Sequence, residues 1–215
     1  MPKICYLTYQ SFPSEKANTI QTISNLKYFV KNGYDVELIF PLREKNSSDN
    51  FEDLKKYYNF KEKIKITGVK HNYPFGKIHF LEKLFFLFSH TLWSRKTVKK
   101  LLTSRHKADT FFTRSEWISY FLSKNNRNLI YECHQLSKIK RILIPLILKN
   151  KKSKVIFLNQ KLLTETKLEK SSYSQITVLH NAADHELFKE TVRKNKNHII
   201  FVGNLIRFDK NRNID

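Results

Sequence analysis

In the run NLIYECHQ, residues 128–135, a carboxylate and an imidazole stand two positions apart, at Glu132 and His134. On an extended strand that spacing turns both side chains to one face. Two ionisable groups on one face of a buried strand are costly unless they pair or meet a ligand. The pair therefore reads either as a structural contact or as part of a binding site. Other polar residues also follow short apolar runs: Ser11 and Glu15, Arg114-Ser115-Glu116, Gln135, Asn159-Gln160 and His180-Asn181. No GxGxxG, GxxxxGK[ST] or GxSxG motif occurs, and the eight His and two Cys show no zinc-ligand spacing. A dehydrogenase, a P-loop NTPase, a serine hydrolase and a zinc enzyme all lose their usual footing.

The elements that must position these residues can be read in chain order. Ile4–Leu7 is an apolar run without helical period, as in a strand covered on both faces. The segment SFPSEKANT follows, with Pro13 and a helix cap expected at Asn18 or Thr19. Ile20, Ile23, Leu26, Tyr28, Phe29 and Val30 then recur at helical spacing until Asn32-Gly33, and Val36–Phe40 reads as a second strand. Strand, helix, strand is a βαβ unit, with parallel strands and a right-handed crossover. Ligands of such sheets bind beyond the carboxyl ends of the strands, which makes residues 9–19 a wall of the site.

Leu42–Asn59 reads as a loop or a poorly packed helix, and Lys63–Lys70 as a third strand before a turn at Tyr73–Gly76. Further strands are expected at 108–114, 128–135, 154–158, 176–179 and 198–202. Helices lie between them, one beginning at the cap Ser137 and kinked or broken at Pro145. The most apolar segment is Ile78–Leu102, where Leu81, Leu84, Phe85, Phe88, Leu92 and Trp93 follow an amphipathic helical rule and Arg95, Lys96, Lys99 and Lys100 crowd the far end. One reading makes this stripe the face that covers the sheet. The other makes it an interfacial segment on anionic lipid. The core reading is preferred, because a helix must cover the sheet here. The alternation implies an α/β fold, a Rossmann-like parallel sheet with helices on both faces.

The formal charge of +21 fits nucleic acid, an anionic membrane, phosphorylated substrates or Lys spread over every solvated face. No RNP-like, zinc-finger or helix-turn-helix pattern accompanies it, so specific nucleic-acid binding is not expected. Cys5 and Cys133 read as buried free thiols in a reducing compartment, and with the first strand starting at once no N-terminal signal is expected before Lys3. A cytoplasmic protein is expected, peripheral at the inner face of the cell membrane in the interfacial reading. With only 4 Gly, Asn is expected to fill left-handed turn positions.

Four ordered blocks resemble glycosyltransferase family 4, retaining enzymes of the two-domain GT-B fold. They are KICYLTYQSFPSEKANTIQTISNLKYFVKNGYDVELIF, FFTRSEWISYFL with LIYECHQLSK, VLHNAADHELFK, and IIFVGNLIRFDKNRNID. They are similar to the family's opening strand and acceptor-side loop, its Arg strand end and Glu-x-His strand, its "NGvD" block, and the first strand and phosphate loop of its second domain. The resemblance implies an acceptor-side domain over residues 1–189, an interdomain linker over 190–197, and the start of a nucleotide-sugar-binding domain over 198–215.

What the family implies is transfer of a sugar from a nucleotide-sugar donor to an acceptor hydroxyl with retention, in cell-surface polysaccharide or lipopolysaccharide assembly, with no metal. The acceptor would be a glycan or lipid-linked. His134 would be the catalytic-site residue, pointing into the cleft, while Ser14, Glu15, Asn18, Thr19 and Arg114 would bind acceptor. Gly203, Asn204, Arg207 and Lys210 would bind donor diphosphate; Lys210 stands seven residues after Gly203, as the family's Lys does. Asn204 replaces a common Arg, and Ala182 replaces the Gly of the "NGvD" block. A Glu-x7-Glu segment for donor sugar and ribose is expected beyond Asp215, and the 215 residues alone are expected to be inactive. Two other classes remain open: a non-catalytic basic α/β module docking on anionic membrane or a partner, and a nucleotide-sugar epimerase of the same architecture.

Overall fold

Lys3–Leu7 (β1) is an inner strand, third from one edge, of a seven-stranded, all-parallel sheet. In the computed structural model the described residues are 1–73, 81–104 and 106–182, with backbone alone at 170 and in the short strands 206–207 and 210–211. The first of two compact units, Met1–Ala182, holds the sheet; the second is Ala183–Asp215. After β1 come α1 (Ala17–Lys31), β2 (Asp35–Leu42), α2 (Phe51–Tyr58), β3 (Lys65–Lys70), α3 (Glu82–Thr103) and β4 (Thr110–Thr113). Then follow α4 (Glu116–Lys124), β5 (Leu129–Cys133), α5 (Lys138–Leu148), β6 (Ser153–Phe157), α6 (Gln160–Thr166), a 3-10 turn at Lys170–Gln175 and β7 (Ile176–Val178). Strand order across the sheet is β3-β2-β1-β4-β5-β6-β7. This is the expected Rossmann-like architecture. In the second unit Ile206–Arg207 (β8) and Lys210–Asn211 (β9) pair antiparallel. The strand expected at 198–202 lies outside the described residues, as do Pro74–Gly76 of the expected turn.

Alternation along β1 explains why its apolar run has no polar face. Cys5 and Leu7 enter one core with Trp93 of α3, Ile118 and Leu122 of α4, and Ile144 and Ile147 of α5. Ile4 and Tyr6 enter the other, with Ile23 and Leu26 of α1 and Leu54 of α2. Each such side chain removed from water contributes about 1.5–3 kcal/mol. Both cysteines are free and buried. Asn59 and Asn126 take left-handed backbone (φ 49° and 53°), the role expected of Asn in a glycine-poor chain.

Several local expectations change. The first helix is capped at Lys16, without a side-chain bond, and not at Asn18 or Thr19. Thr19 instead turns its hydroxyl back to the carbonyls of Ser14 (2.8 Å) and Lys16 (2.7 Å). The polar stretch after β2 does contain a helix, capped by Asn50 and anchored by fully buried Leu54. α5 continues through Pro145, with Ser137 as its cap.

The largest correction concerns α3. Leu84 is 63% exposed and Phe88 56% exposed, and Leu81 is exposed as well. The buried face is Ser89, His90, Trp93, Ser94, Thr97 and Val98. Of the stripe expected to cover the sheet, only Trp93 is buried. α3 packs on α4, which itself buries Ser119 and Ser123. Small hydroxylated residues allow close packing there, and hydrophobicity alone selects the wrong face.

Candidate functional site

The strand order runs outward in opposite directions from the β1–β4 pair. Segments leaving β1 and β4 therefore part to opposite sides, and a crevice opens beyond their carboxyl ends. A pocket of about 290 Å³ lies there. Its walls are Thr8–Ser11 after β1, Ser14, Lys16, Asn18 and Thr19 at the entry to α1, Arg43 and Glu44 after β2, and Arg114–Glu116 after β4. Phe86 and His90 of α3 close it.

The segment before α1 is held from two sides. Tyr58 donates its hydroxyl to the Ser14 carbonyl at 2.9 Å, and the Ser14 amide donates to the Tyr58 oxygen at 2.7 Å. Thr19 closes the same turn. The opposite wall is an aromatic and cationic stack. The His90 ring lies on that of Tyr9, with centroids 4.3 Å apart and planes 16° from parallel. The Arg43 guanidinium sits 4.6 Å from the Tyr9 centroid and donates from Nε to Ser11 Oγ at 2.7 Å. Glu44 lies 3.6 Å from Arg43 Nε. His90 Nε2 meets Ser115 Oγ at 2.7 Å, and that oxygen also caps α4 by accepting the Ile118 amide. Tyr9 OH meets His71 Nε2 at 2.8 Å.

Burial, aided by the Arg43 charge, pushes His71 down to about 4. Burial, then Arg43 and Lys140, push His90 down to about 3. Both imidazoles are therefore neutral at pH 7, hydrogen-bonding groups and not charges. Fixed positive charge comes from Arg43, Lys16 and Arg114.

Arg114 links the pocket to a second cluster. It donates to Glu132 through Nε (2.9 Å) and Nη2 (3.3 Å), and through Nη1 to Gln21 Oε1 (3.2 Å). His134 Nε2 lies 2.8 Å from Glu132 Oε1, the oxygen that also accepts from Arg114 Nη2. Burial raises the Glu132 carboxyl, but the hydrogen bond from His134 and the charge of Arg114 outweigh it, and the net shift is downward. An ionised Glu132 only accepts, so His134 carries its proton on Nε2. Gln21 extends the chain to Asn181 Oδ1 at 2.8 Å. The cluster thus ties together β4, β5, α1 and the segment after β7.

The sequence-derived site residues divide accordingly. Ser14, Asn18, Thr19 and Arg114 line the pocket; Glu15 is exposed and does not line it. His134 stands behind it, one quarter exposed and joined through Glu132 to Arg114. Gly203 and Asn204 lie outside the described residues, as do the side chains of Arg207 and Lys210, whose backbones pair across β8–β9. Asn159 serves as the cap of α6, accepting the Leu162 amide.

Sequence reasoning placed Tyr9 in the wall but passed over Arg43, Glu44, Phe86 and His90. For Arg43 a signal existed: it follows the second strand directly, where the carboxyl-end rule places ligands. For His90 none did, since it sits inside the most apolar helix. Among the described residues no group of His, Cys, Asp and Glu is arranged to hold a metal ion. The arrangement can bind a polar ligand by hydrogen bonds and positive charge, with the His134 ring and Arg114 held in fixed orientation by one carboxylate.

No family model and no curated protein matches the chain. Among solved structures, the apo form of a lipopolysaccharide outer core galactosyltransferase, WaaB, is similar at 14% identity and a TM-score of 0.45. That match covers 84% of this chain and 46% of the other, so the chain spans less than half of that structure's length.

Proposed function

We propose that this chain supplies the acceptor-side half of a retaining glycosyltransferase that moves a sugar from a nucleotide-sugar to an acceptor hydroxyl. The observation that carries the reading is the join between pocket and cluster: Arg114 lines the crevice at the sheet's reversal point while Glu132 holds both it and His134. The motif resemblance through FFTRSEWISYFL and LIYECHQLSK supports it, since its Arg and His are the residues that meet around Glu132. In this reading Ser14, Asn18, Thr19 and Arg43 orient the acceptor, across a cleft from a facing donor-binding lobe. Leaving diphosphate is stabilised by cations and amide dipoles, with an oxocarbenium-like centre between the lobes.

His134 then orients the reacting sugar or acceptor through a ring whose other edge is fixed by Glu132. In the complete protein, offered a panel of radiolabelled UDP-, GDP- and ADP-sugars with cell-envelope acceptors, His134→Ala should lower turnover at least about a hundredfold, the loss typical of a positioned polar group. The melting temperature should hardly move, because His134 is partly exposed. Transfer undiminished in His134→Ala, or no transfer from any nucleotide-sugar, would overturn the reading. The 215 residues alone are expected to transfer no sugar.

A further inference from the structure

The stripe displaced from the core of α3 has its own geometry. Leu81, at the helix's N-cap, and then Leu84, Phe88, Arg95 and Lys99 succeed one another in steps of three, four or seven residues, so they form one line along the helix. All five are exposed. The line is apolar over its first turns and basic over its last, where Lys96 and Lys100 stand beside it. The single acid of the helix, Glu82, lies off the line.

We propose that this outer face of α3 docks the protein on an anionic lipid bilayer. Leu81, Leu84 and Phe88 enter the boundary between headgroups and acyl chains, and Arg95, Lys96, Lys99 and Lys100 rest on headgroup charge. No described helix is long and apolar enough to cross a membrane, so α3 lies in the plane of the interface. The basic half selects the occupant. A second copy would bring another chain of formal charge +21 against this face, and the lysines of both would repel. An anionic surface attracts both halves of the stripe.

The placement has a consequence for the site. Phe86 and His90, on other faces of the same turns, line the pocket, so the apolar half of the stripe lies at the carboxyl edge of the sheet. Docking brings the pocket close to the lipid surface. The inference rests on the face of α3 and is independent of the proposed transfer reaction.

Cosedimentation of the 215-residue chain with phosphatidylcholine vesicles, pure or with a quarter phosphatidylglycerol, tests it. Binding should require the anionic lipid and weaken as salt rises from about 0.1 to about 0.5 M. Leu84→Glu/Phe88→Glu and Arg95→Glu/Lys99→Glu should each weaken it at least about tenfold, while the same charge reversal at the remote exposed pair, Lys149→Glu/Lys151→Glu, should leave it within about twofold. Leu84→Ser/Phe88→Ser replaces the first pair if circular dichroism shows that it does not fold. Equal loss in the remote variant would mean diffuse charge and overturn the proposal. So would stripe variants that bind like the parent, or equal binding to pure phosphatidylcholine. Self-association abolished by Leu84→Glu/Phe88→Glu, without vesicle binding, would assign the face to a second copy and overturn it too.

Discussion

Glu132 has more to hold than its sequence position suggests. It accepts from Arg114 at both oxygens and from His134 at Oε1, and the Arg114 side chain is only 9% exposed. Removing the carboxylate would leave a buried guanidinium without its counter-charge, a change that costs about 3–5 kcal/mol. Glu132→Ala should therefore lower the stability measured by urea unfolding by about 3 kcal/mol, whereas Arg114→Met/Glu132→Leu should recover most of that loss. If the single and double variants unfold alike, the cluster is not an electrostatic unit. The same-face spacing of Glu132 and His134 was legible in the sequence because a strand has period two. Arg114 as the partner of Glu132 was not, since it follows a neighbouring strand.

At the scale of elements, α3 shows how a helix can bury its less apolar side. Its inner face carries His90, stacked on Tyr9 and bonded to Ser115 at the start of α4. Burial holds His90 down to about 3, against about 6.5 for a free imidazole. The unfolded chain therefore takes up the proton first, and the folded state loses stability as pH falls below about 6.5, by about 1.4 kcal/mol per pH unit for this group. His71, held down to about 4, adds a second such term. Thermal unfolding between pH 7.5 and 5 should show the melting temperature falling with acid, and less steeply in His90→Gln. A parallel slope in that variant would assign the acid lability to other groups. The helix itself was predictable from its 3.6-residue recurrence, but its orientation was not. Which side faces inward depends on how closely α4 and the sheet approach, and small side chains at 89, 94 and 97 suit that approach better than leucines do.

Across the whole molecule, one buried acid ties the amino edge of the sheet together. Glu37 of β2 is 1% exposed and meets Lys3 of β1 (3.2 Å), Lys65 of β3 (3.2 Å), Thr67 Oγ1 (2.9 Å) and His106 (2.8 Å) in the connection from α3 to β4. Burial would raise its carboxyl, but the bonds from Thr67, His106, Lys3 and Lys65 together bring it down to about 2. That stability is present at neutral pH and is lost as pH falls from about 4.5 to about 2, up to about 3 kcal/mol in all. Glu37→Gln should cost about that much in urea unfolding at pH 7 and progressively less toward pH 3; an equal cost at both would refute the linkage. The same network marks what each level of information supplies. The sequence by itself determined the alternating α/β order and the seven strands of the sheet, because strands buried on both faces must be continuous apolar runs and their crossovers must be helical. It also determined that polar residues follow the strands. Only the tertiary structure decided which strand tips converge, which face of α3 is buried, and that Arg43 and His90 join the pocket wall, because those outcomes depend on strand order and on packing between segments distant in the chain.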